Sequence, residues 1–147
     1  MEESKIKIEQ TYPPNYARIC DRFPVVRNVP DALFVWDKTI HNPHKIKLLD
    51  HVVIHETVHS YQQNGDPETW YAKYFWDTEF RLRQEVEAYG TQFAFILGQG
   101  NHRDYNDGIL FELTEKLKDP MYDFKLNYMQ AELKIKKMAK VKARKDE

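Results

Sequence analysis

The residues best suited to chemistry form the pentapeptide His55-Glu56-Thr57-Val58-His59. In an α-helix, positions i and i+4 lie one above the other, so the imidazoles of His55 and His59 can converge on one metal ion. Glu56 follows the first imidazole, which directs its carboxylate toward a metal-bound water instead of the metal. Zinc lowers the pKa of such a water to about 7, and a nearby carboxylate can then accept its proton. The spacing therefore predicts a catalytic metal site.

Two histidines leave a catalytic zinc site one protein ligand short. The remaining candidates are three glutamates and four further histidines: Glu79, Glu85, Glu87, His41, His44, His51 and His102. Glu85 borders the apolar side of a predicted helix, whereas Glu87, two residues on, points more toward solvent. A buried carboxylate is costly without a cation, so metal ligation also accounts for the inward position of Glu85. Glu85 is therefore the better candidate.

The elements that must position these side chains are mainly helices. Hydrophobic periodicity predicts helices over 45–63, 68–76, 79–97 and 104–118, and a last one from residue 120 into the C-terminal segment. Asn64-Gly65 ends the first helix, and Asp66 caps the second with Pro67 at its first position. Asp77 or Thr78 caps the third. The first and third of these helices carry the candidate ligands.

Strand signals are confined to the N-terminal part of the chain. Residues 32–36 and 39–41 are rich in strand formers and flank a turn at Asp37-Lys38, which predicts a β-hairpin. Four prolines before residue 31 predict that residues 1–30 are irregular. We therefore expect an α+β fold that is mainly helical. A small N-terminal sheet should pack on the helix that carries residues 55–59, the HExxH motif.

Length and composition fit one folded domain. The chain has 147 residues, of which 41% are hydrophobic and 14% aromatic, and this excludes an intrinsically disordered protein. We expect the domain to cover residues 1–132 and to be followed by a basic C-terminal tail, residues 133–147. No apolar run approaches the roughly 18–20 residues needed to span a bilayer, and residues 1–7 lack the apolar core of a signal peptide. We expect a cytoplasmic protein without membrane contact.

Charge is nearly balanced over the whole chain, with 22 Lys and Arg against 23 Asp and Glu. Residues 133–147 hold seven basic and two acidic residues, so they carry +5 and leave −6 on residues 1–132. A solvated helix end or frayed tail is the simplest interpretation of this segment. Contact with nucleic acid or an acidic partner is the alternative, and the acidic remainder of the chain argues against broad contact with nucleic acid.

The order of the motifs resembles the gluzincin metallopeptidases. His55-Glu56-x-x-His59 is followed 26 residues later by a helix that reads Glu85-x-x-Ala88-Tyr89. This resemblance implies that His55, His59 and Glu85 bind Zn²⁺ and that Glu56 is the general base of peptide-bond hydrolysis. Many gluzincins have an aspartate where this chain has Tyr89, and that aspartate orients a ligating histidine. The family also implies that the strand at residues 39–41 is an edge strand that pairs with an extended substrate.

Several flanking segments are similar to small zincin-like proteins of bacteriophages. They are Ile40-His41-Asn42-Pro43, His59-Ser60-Tyr61-Gln62-Gln63, Trp70-Tyr71 and Phe80-Arg81-Leu82. This similarity implies host cytoplasm or a virion as the location, and phage structural proteins as partners besides a peptide or protein substrate. The alternative function is a virion or assembly protein whose zincin-like domain is not used for catalysis.

The developing oxyanion of a hydrolytic reaction also needs a hydrogen-bond donor. Five side chains are chemically able to serve, and the sequence does not rank them: Tyr61, Tyr71, Tyr74, His102 and Arg103.

Overall fold

The computed structural model describes residues 5–145 and confirms an α+β, mainly helical fold with a small sheet. The strands are β1 (Lys7–Glu9), β2 (Phe34–Trp36) and β3 (Thr39–His41), and the helices are α1 (Tyr16–Arg22), α2 (Asp50–Gln63), α3 (Pro67–Trp76), α4 (Thr78–Leu97), α5 (Arg103–Leu117) and α6 (Tyr128–Lys145). Short 3₁₀ helices cover Pro24–Asn28 and Pro120–Tyr122. The first four residues of the expected irregular segment and the last two of the expected tail lie outside the described residues.

The sheet contains the predicted hairpin and one strand that was not predicted. β2 and β3 are antiparallel around a turn in which Asp37 has a φ of 55°, a left-handed conformation that aspartate tolerates. β1 pairs in parallel with the other side of β3, with Ile8 opposite Ile40. The strand order is therefore β1-β3-β2. The expectation that residues 39–41 form an edge strand is wrong, because β3 is paired on both sides.

The segment before β2 is more regular than its prolines suggest. It holds β1, α1 and the 3₁₀ helix Pro24–Asn28, so the prediction of an irregular residues 1–30 is wrong over these stretches. Pro24 occupies the first turn of the 3₁₀ helix, where the missing N–H has no intrahelical partner to lose. The prolines thus limit the length of the elements without preventing them.

The helix that carries the HExxH motif is shorter than predicted at its start. α2 begins at Asp50, whereas hydrophobic periodicity places the start at residue 45. The Asn42 side chain accepts a hydrogen bond from the N–H of Ile46 at 3.1 Å and donates one to its carbonyl at 2.9 Å. Lys45 between them has a φ of 56°. This local loop stops the helical conformation from extending backwards.

The predicted boundaries between the next helices are confirmed by their caps. Asn64 ends α2 in the left-handed conformation. Asp66 accepts a hydrogen bond from the N–H of Thr69 at 3.2 Å and caps α3. Asp77 accepts one from the N–H of Phe80 at 3.0 Å and caps α4. Local side-chain chemistry thus sets where α3 and α4 begin.

The C-terminal segment is a packed helix up to Lys145 rather than a solvated tail. The α6 residues Ala131, Ile135 and Ala139 are buried in a cluster with side chains of α4 and α5. Gly90 of α4 lies so close to Met138 that an added Cβ would overlap the Cβ and Cγ of that methionine. The three buried apolar residues of α6 therefore face the core, whereas Leu133 and Val141 lie exposed together with most of the lysines.

The last helix also begins later than predicted. Only a 3₁₀ turn forms at Pro120–Tyr122, and Asp123 and Lys125 then have φ values of 61° and 56°. These left-handed residues break a right-handed helix, so α6 starts at Tyr128.

The core consists of two apolar clusters that meet at the HExxH helix. One lies among α4, α5 and α6, and the other among α1, β2 and α3. The ring of His55 packs on Tyr89 of the first cluster at a centroid distance of 4.4 Å, and the ring of His59 packs on Trp70 of the second at 5.5 Å. Among residues 5–145, no helix has the length and apolar character that crossing a membrane requires.

Candidate metal centre

Helices α2 and α4 place three potential ligands side by side. One ligand atom each from His55, His59 and Glu85 lies within 4.8 Å of the others. The Oε1 of Glu85 is 3.4 Å from Nε2 of His55 and 3.3 Å from Nε2 of His59. All three residues are buried, with exposed fractions of 6%, 6% and 3%. The structure therefore brings together the three side chains that the sequence singled out.

The imidazole of His59 is held by Gln62, which lies one helical turn further along α2. The Nε2 of Gln62 donates to the carbonyl of Gln84 at 3.0 Å and to Oε1 of Glu87 at 2.9 Å. Both partners can only accept, so the Oε1 of Gln62 is the atom that lies 2.8 Å from Nδ1 of His59. Nδ1 must therefore carry a proton, and a neutral His59 presents the lone pair of Nε2 to Glu85.

The imidazole of His55 is held in the same way by Gln92 of α4. The Oε1 of Gln92 lies 3.0 Å from Nδ1 of His55, and its Nε2 lies 2.8 Å from Nδ1 of His51. All three residues are buried. With Nδ1 of His55 as the donor, its Nε2 also presents a lone pair to Glu85.

One carboxylate oxygen of Glu85 accepts a hydrogen bond from a described residue, and the other does not. The hydroxyl of Tyr74 donates a hydrogen bond to Oε2. Oε1 is buried and has no hydrogen-bond partner among the described residues. Two imidazole lone pairs and a carboxylate oxygen thus face one another in a buried space, and such an arrangement requires a cation to be stable.

A proton is one cation that can satisfy this cluster. Burial disfavours an imidazolium at His59, but the negative charge of Glu85 outweighs that effect and raises the pKa of His59 to about 9. Burial likewise disfavours the carboxylate, but the charge of His59 holds the pKa of Glu85 well below its usual range. Without a metal, His59 and Glu85 therefore form an ion pair at neutral pH.

A divalent metal ion is the other cation, and the donor set fits zinc. Two imidazole nitrogens and one carboxylate oxygen are the ligands of many catalytic zinc sites. Ligands about 2.0–2.1 Å from a tetrahedral ion are about 3.3–3.4 Å apart. The distances from Oε1 of Glu85 to the two Nε2 atoms, 3.4 and 3.3 Å, match this spacing. Two of the three distances between potential ligand atoms therefore suit a zinc ion.

Glu56 lies beside this cluster and faces the same cavity. Its Oε2 is 4.0 Å from Nε2 of His55, and its side chain is 14% exposed. Among the described residues, no side chain forms a hydrogen bond with the carboxylate of Glu56. The cavity has a volume of about 380 Å³, and its wall is largely apolar, with Val26, Leu33 and Phe34 among its lining residues. Glu56 is therefore placed to act on a molecule held beside the candidate ligands.

The C-terminal end of α2 also fixes the sheet against the site. Gln63 accepts a hydrogen bond from the N–H of Asp37 at 2.6 Å and donates one to the carbonyl of Val35 at 3.0 Å. The hydroxyl of Ser60 donates to the carbonyl of Asp37 at 2.6 Å, and that of Tyr71 to the carbonyl of Val35 at 2.7 Å. The hairpin turn is thus tied to the helix one turn beyond His59. The carbonyl of Val35, on the edge strand β2, accepts two of these hydrogen bonds, from Gln63 and Tyr71.

The other candidate ligands lie away from the cluster or support it indirectly. Glu79 and His44 are exposed, and His102 caps α5 by accepting a hydrogen bond from the N–H of Asp104 at 3.1 Å. His41 is buried on β3, where its Nδ1 lies 2.9 Å from the hydroxyl of Thr11. Glu87 is more exposed than Glu85, as expected, and it also accepts a hydrogen bond from Gln62 and lies 2.6 Å from Nζ of Lys142.

The candidate oxyanion donors are separated by the structure into two groups. Tyr71 and Tyr74 line the cavity, but their hydroxyls donate to Val35 and Glu85. Tyr61, His102 and Arg103 are exposed and do not line this cavity. None of the five has a hydroxyl or N–H that is both in the cavity and available.

The orienting residues Gln62, Gln92 and Tyr74 were not anticipated from the sequence. Gln62 lies three residues after His59, and Gln92 lies seven residues after Glu85, so each shares a helix face with a predicted ligand. That spacing is the only available signal, and Tyr74 has none. Tyr89 stands where the resemblance implies an orienting aspartate, but its ring packs on His55 and its hydroxyl lies 3.2 Å from that of Tyr122.

Comparisons of the chain with protein-family models, curated proteins and solved structures found no match. The candidate metal centre therefore rests on the geometry of the chain's own residues.

Proposed function

We propose that this protein is a zinc-dependent metallopeptidase in which His55, His59 and Glu85 bind the metal. The observation that carries the proposal is the arrangement of these three side chains around one point. Both Nδ1 atoms are committed to glutamine oxygens, both Nε2 atoms face Glu85, and the free Oε1 is buried without a hydrogen-bond partner among the described residues. The resemblance to gluzincins supports peptide bonds as the substrate.

Glu56 is proposed as the general base. When bound, zinc makes a water molecule acidic and polarises the carbonyl of the substrate. Glu56 has a carboxylate on the cavity side of His55, where it can accept a proton from the attacking water. The same carboxylate then returns the proton to the amine that leaves. The largely apolar wall lowers the local dielectric constant and so strengthens these electrostatic interactions.

Tyr89 and Tyr122 are proposed to supply the donor for the developing oxyanion. Both line the cavity, and their hydroxyl oxygens are 3.2 Å apart. Burial raises the pKa of both phenols well above the usual value, so both carry a proton at neutral pH. One hydrogen bond between two hydroxyls uses one of the two protons, and the second O–H is left to donate to a substrate oxygen.

Metal content tests the site. Protein purified without metal-affinity resin should contain about one zinc per chain by mass spectrometry, and Glu85→Ala should lose most of it. Glu79→Ala is the matched control, because this glutamate lies exposed on the same helix. Zinc retained by Glu85→Ala at the wild-type level, or absent from the wild type, would refute the proposed ligand set.

Turnover tests the activity separately. Cleavage of a peptide library by the zinc-loaded protein should fall by about 10²–10⁴ in Glu56→Gln, while zinc content stays at the wild-type level. A zinc-loaded wild type that cleaves no peptide would contradict the peptidase proposal. That result would favour the alternative, a virion or assembly protein that holds the metal without catalysis.

A further inference from the structure

His51 forms the outer end of a chain of buried side chains that leads to the proposed metal ligand His55. His51 lies one helical turn before His55 on α2 and is 8% exposed. Its Nδ1 lies 2.8 Å from Nε2 of Gln92, whose Oε1 lies 3.0 Å from Nδ1 of His55. His51 does not belong to the cluster of potential ligands. Among the described residues, Gln92 links it to that cluster by hydrogen bonds.

The orientation of the Gln92 amide decides which nitrogen of His55 can bind a metal. With Oε1 toward His55, Nδ1 must donate and Nε2 is left with a lone pair. With the amide reversed, Nδ1 would accept, and the proton of a neutral His55 would lie on Nε2, where it blocks metal binding. Only the first orientation produces a ligand.

Gln92 differs from Gln62 in what fixes its amide. The Nε2 of Gln62 faces the carbonyl of Gln84 and the carboxylate of Glu87, which can only accept. Gln92 lies between two imidazoles, and each of these can donate or accept. In the orientation that the structure shows, the only partner of Nε2 of Gln92 among the described residues is Nδ1 of His51, so this orientation requires a His51 tautomer with Nδ1 free to accept.

The hydrogen bond from Nε2 of Gln92 to Nδ1 of His51 brings a cost in folding stability. If Nδ1 of His51 accepts, the proton of the neutral ring is on Nε2. That atom is buried and has no hydrogen-bond partner among the described residues. A buried N–H without an acceptor destabilises the folded state. An apolar side chain at position 51 would remove this unpaired N–H but leave Nε2 of Gln92 without its acceptor, so stability gives little reason for a histidine here and its effect on Gln92 explains it better.

We propose that His51 is a positioning residue that acts through Gln92 to hold His55 as an Nε2 ligand. The inference rests on the proposed zinc site, and it adds a residue outside the HExxH motif on which zinc affinity depends. His51→Leu removes the acceptor, whereas the Oδ1 of His51→Asn replaces Nδ1 as an acceptor at a similar position.

Zinc affinity and stability are measured together to test this. Competition with a chelator should show affinity about 10–100-fold weaker in His51→Leu and largely restored in His51→Asn. Because one unpaired buried N–H replaces another, the melting temperature of metal-free His51→Leu should stay close to that of the wild type. His44→Leu, which replaces an exposed histidine, should change neither value. Wild-type affinity in His51→Leu, or equal losses in the two His51 variants, would overturn the inference.

A spectroscopic measurement needs no variant. Long-range ¹H–¹⁵N spectra of the zinc-loaded wild type should show His55 protonated at Nδ1 and His51 protonated at Nε2. A proton on Nδ1 of His51 would overturn the inference. A wild type that binds no zinc refutes the proposed function as well, whereas zinc binding with unchanged affinity in His51→Leu refutes only the role of His51.

Discussion

The hydroxyl of Tyr74 donates a hydrogen bond to Oε2 of Glu85 and leaves Oε1 as the oxygen that faces the two imidazoles. Tyr74 therefore selects which oxygen is offered to a metal and restricts rotation of the carboxylate. Because Tyr74 belongs to α3 and Glu85 to α4, this contact also makes the metal centre depend on how these helices pack.

Loss of this hydrogen bond should weaken metal binding. We expect Tyr74→Phe to reduce zinc affinity about 10–100-fold, since Glu85 would be free to rotate and its Oε2 would lose a buried partner. Competition with a chelator measures this. Tyr71→Phe is the control, because that hydroxyl donates to the carbonyl of Val35 and not to Glu85. Equal affinity in Tyr74→Phe and the wild type would show that the hydrogen bond does not position the ligand.

The ion pair of His59 and Glu85 predicts how the stability of the metal-free protein varies with pH. The folded-state pKa of His59 is about 9, above the value of about 6.5 expected in the unfolded chain. Its contribution is therefore fully present below pH 6.5 and is lost as pH rises through 9. Denaturant unfolding in the presence of a chelator should show a decrease of about 2–3 kcal/mol across this range.

Removal of the titrating group should flatten that profile. His59→Gln should show little loss of stability between pH 6.5 and 9, whereas an exposed substitution such as His44→Gln should leave the wild-type profile unchanged. Zinc should reverse the trend, because binding displaces the proton and so becomes tighter as pH rises. A flat profile for the metal-free wild type would contradict the ion pair.

Removal of both cavity phenols should lower the rate without loss of zinc. We expect the double variant Tyr89→Phe and Tyr122→Phe to lower kcat about 10²–10³-fold, since no free O–H would remain to stabilise the oxyanion. Each single variant should lose less, because the remaining phenol keeps its own proton. Steady-state kinetics measures this, with Tyr105→Phe as an exposed control. A double variant with wild-type kcat would exclude the phenol pair as the donor.

The close approach of α4 and α6 at Gly90 should make that position intolerant of a side chain. An added Cβ would overlap the Cβ and Cγ of Met138 and lie 3.2 Å from its carbonyl carbon. We expect Gly90→Ala to destabilise the fold by about 1–3 kcal/mol. Gly108→Ala is the matched control, because an added Cβ on α5 meets nothing within 4 Å. That control should be neutral or stabilising by up to about 1 kcal/mol.

Denaturant unfolding distinguishes the two glycine variants. A Gly90→Ala protein as stable as Gly108→Ala would show that α6 does not pack against α4 as closely as the structure indicates.

Features set by neighbouring residues were predictable from the sequence. The caps at Asp66 and Asp77 and the hairpin turn at Asp37 depend on side chains within a few positions, and each is present. The juxtaposition of His55 and His59 also follows from helix geometry. Glu85 was found because a buried carboxylate on an apolar helix face is rare without a cation.

Features set by distant residues were not predictable in the same way. The pairing of β1 with β3 brings together residues about 30 positions apart, and no local pattern specifies that register. The packing of α6 depends on Gly90, whose close contact with Met138 is visible only in three dimensions. Gln62 and Gln92 are ordinary polar side chains in sequence, and their role appears only when the tautomers of the histidines are considered.

Because the inner side of α6 is buried in the core, deleting this helix and removing its positive charge have different consequences. Deleting residues 134–147 would remove Ile135 and Ala139 from the core and expose the helix that carries Glu85 and Gln92. Any loss of polyanion binding by a shortened chain would then report unfolding instead of lost charge. Glutamine replacements of exposed basic residues remove charge and leave the packing intact; suitable positions are Lys136, Lys140 and Arg144.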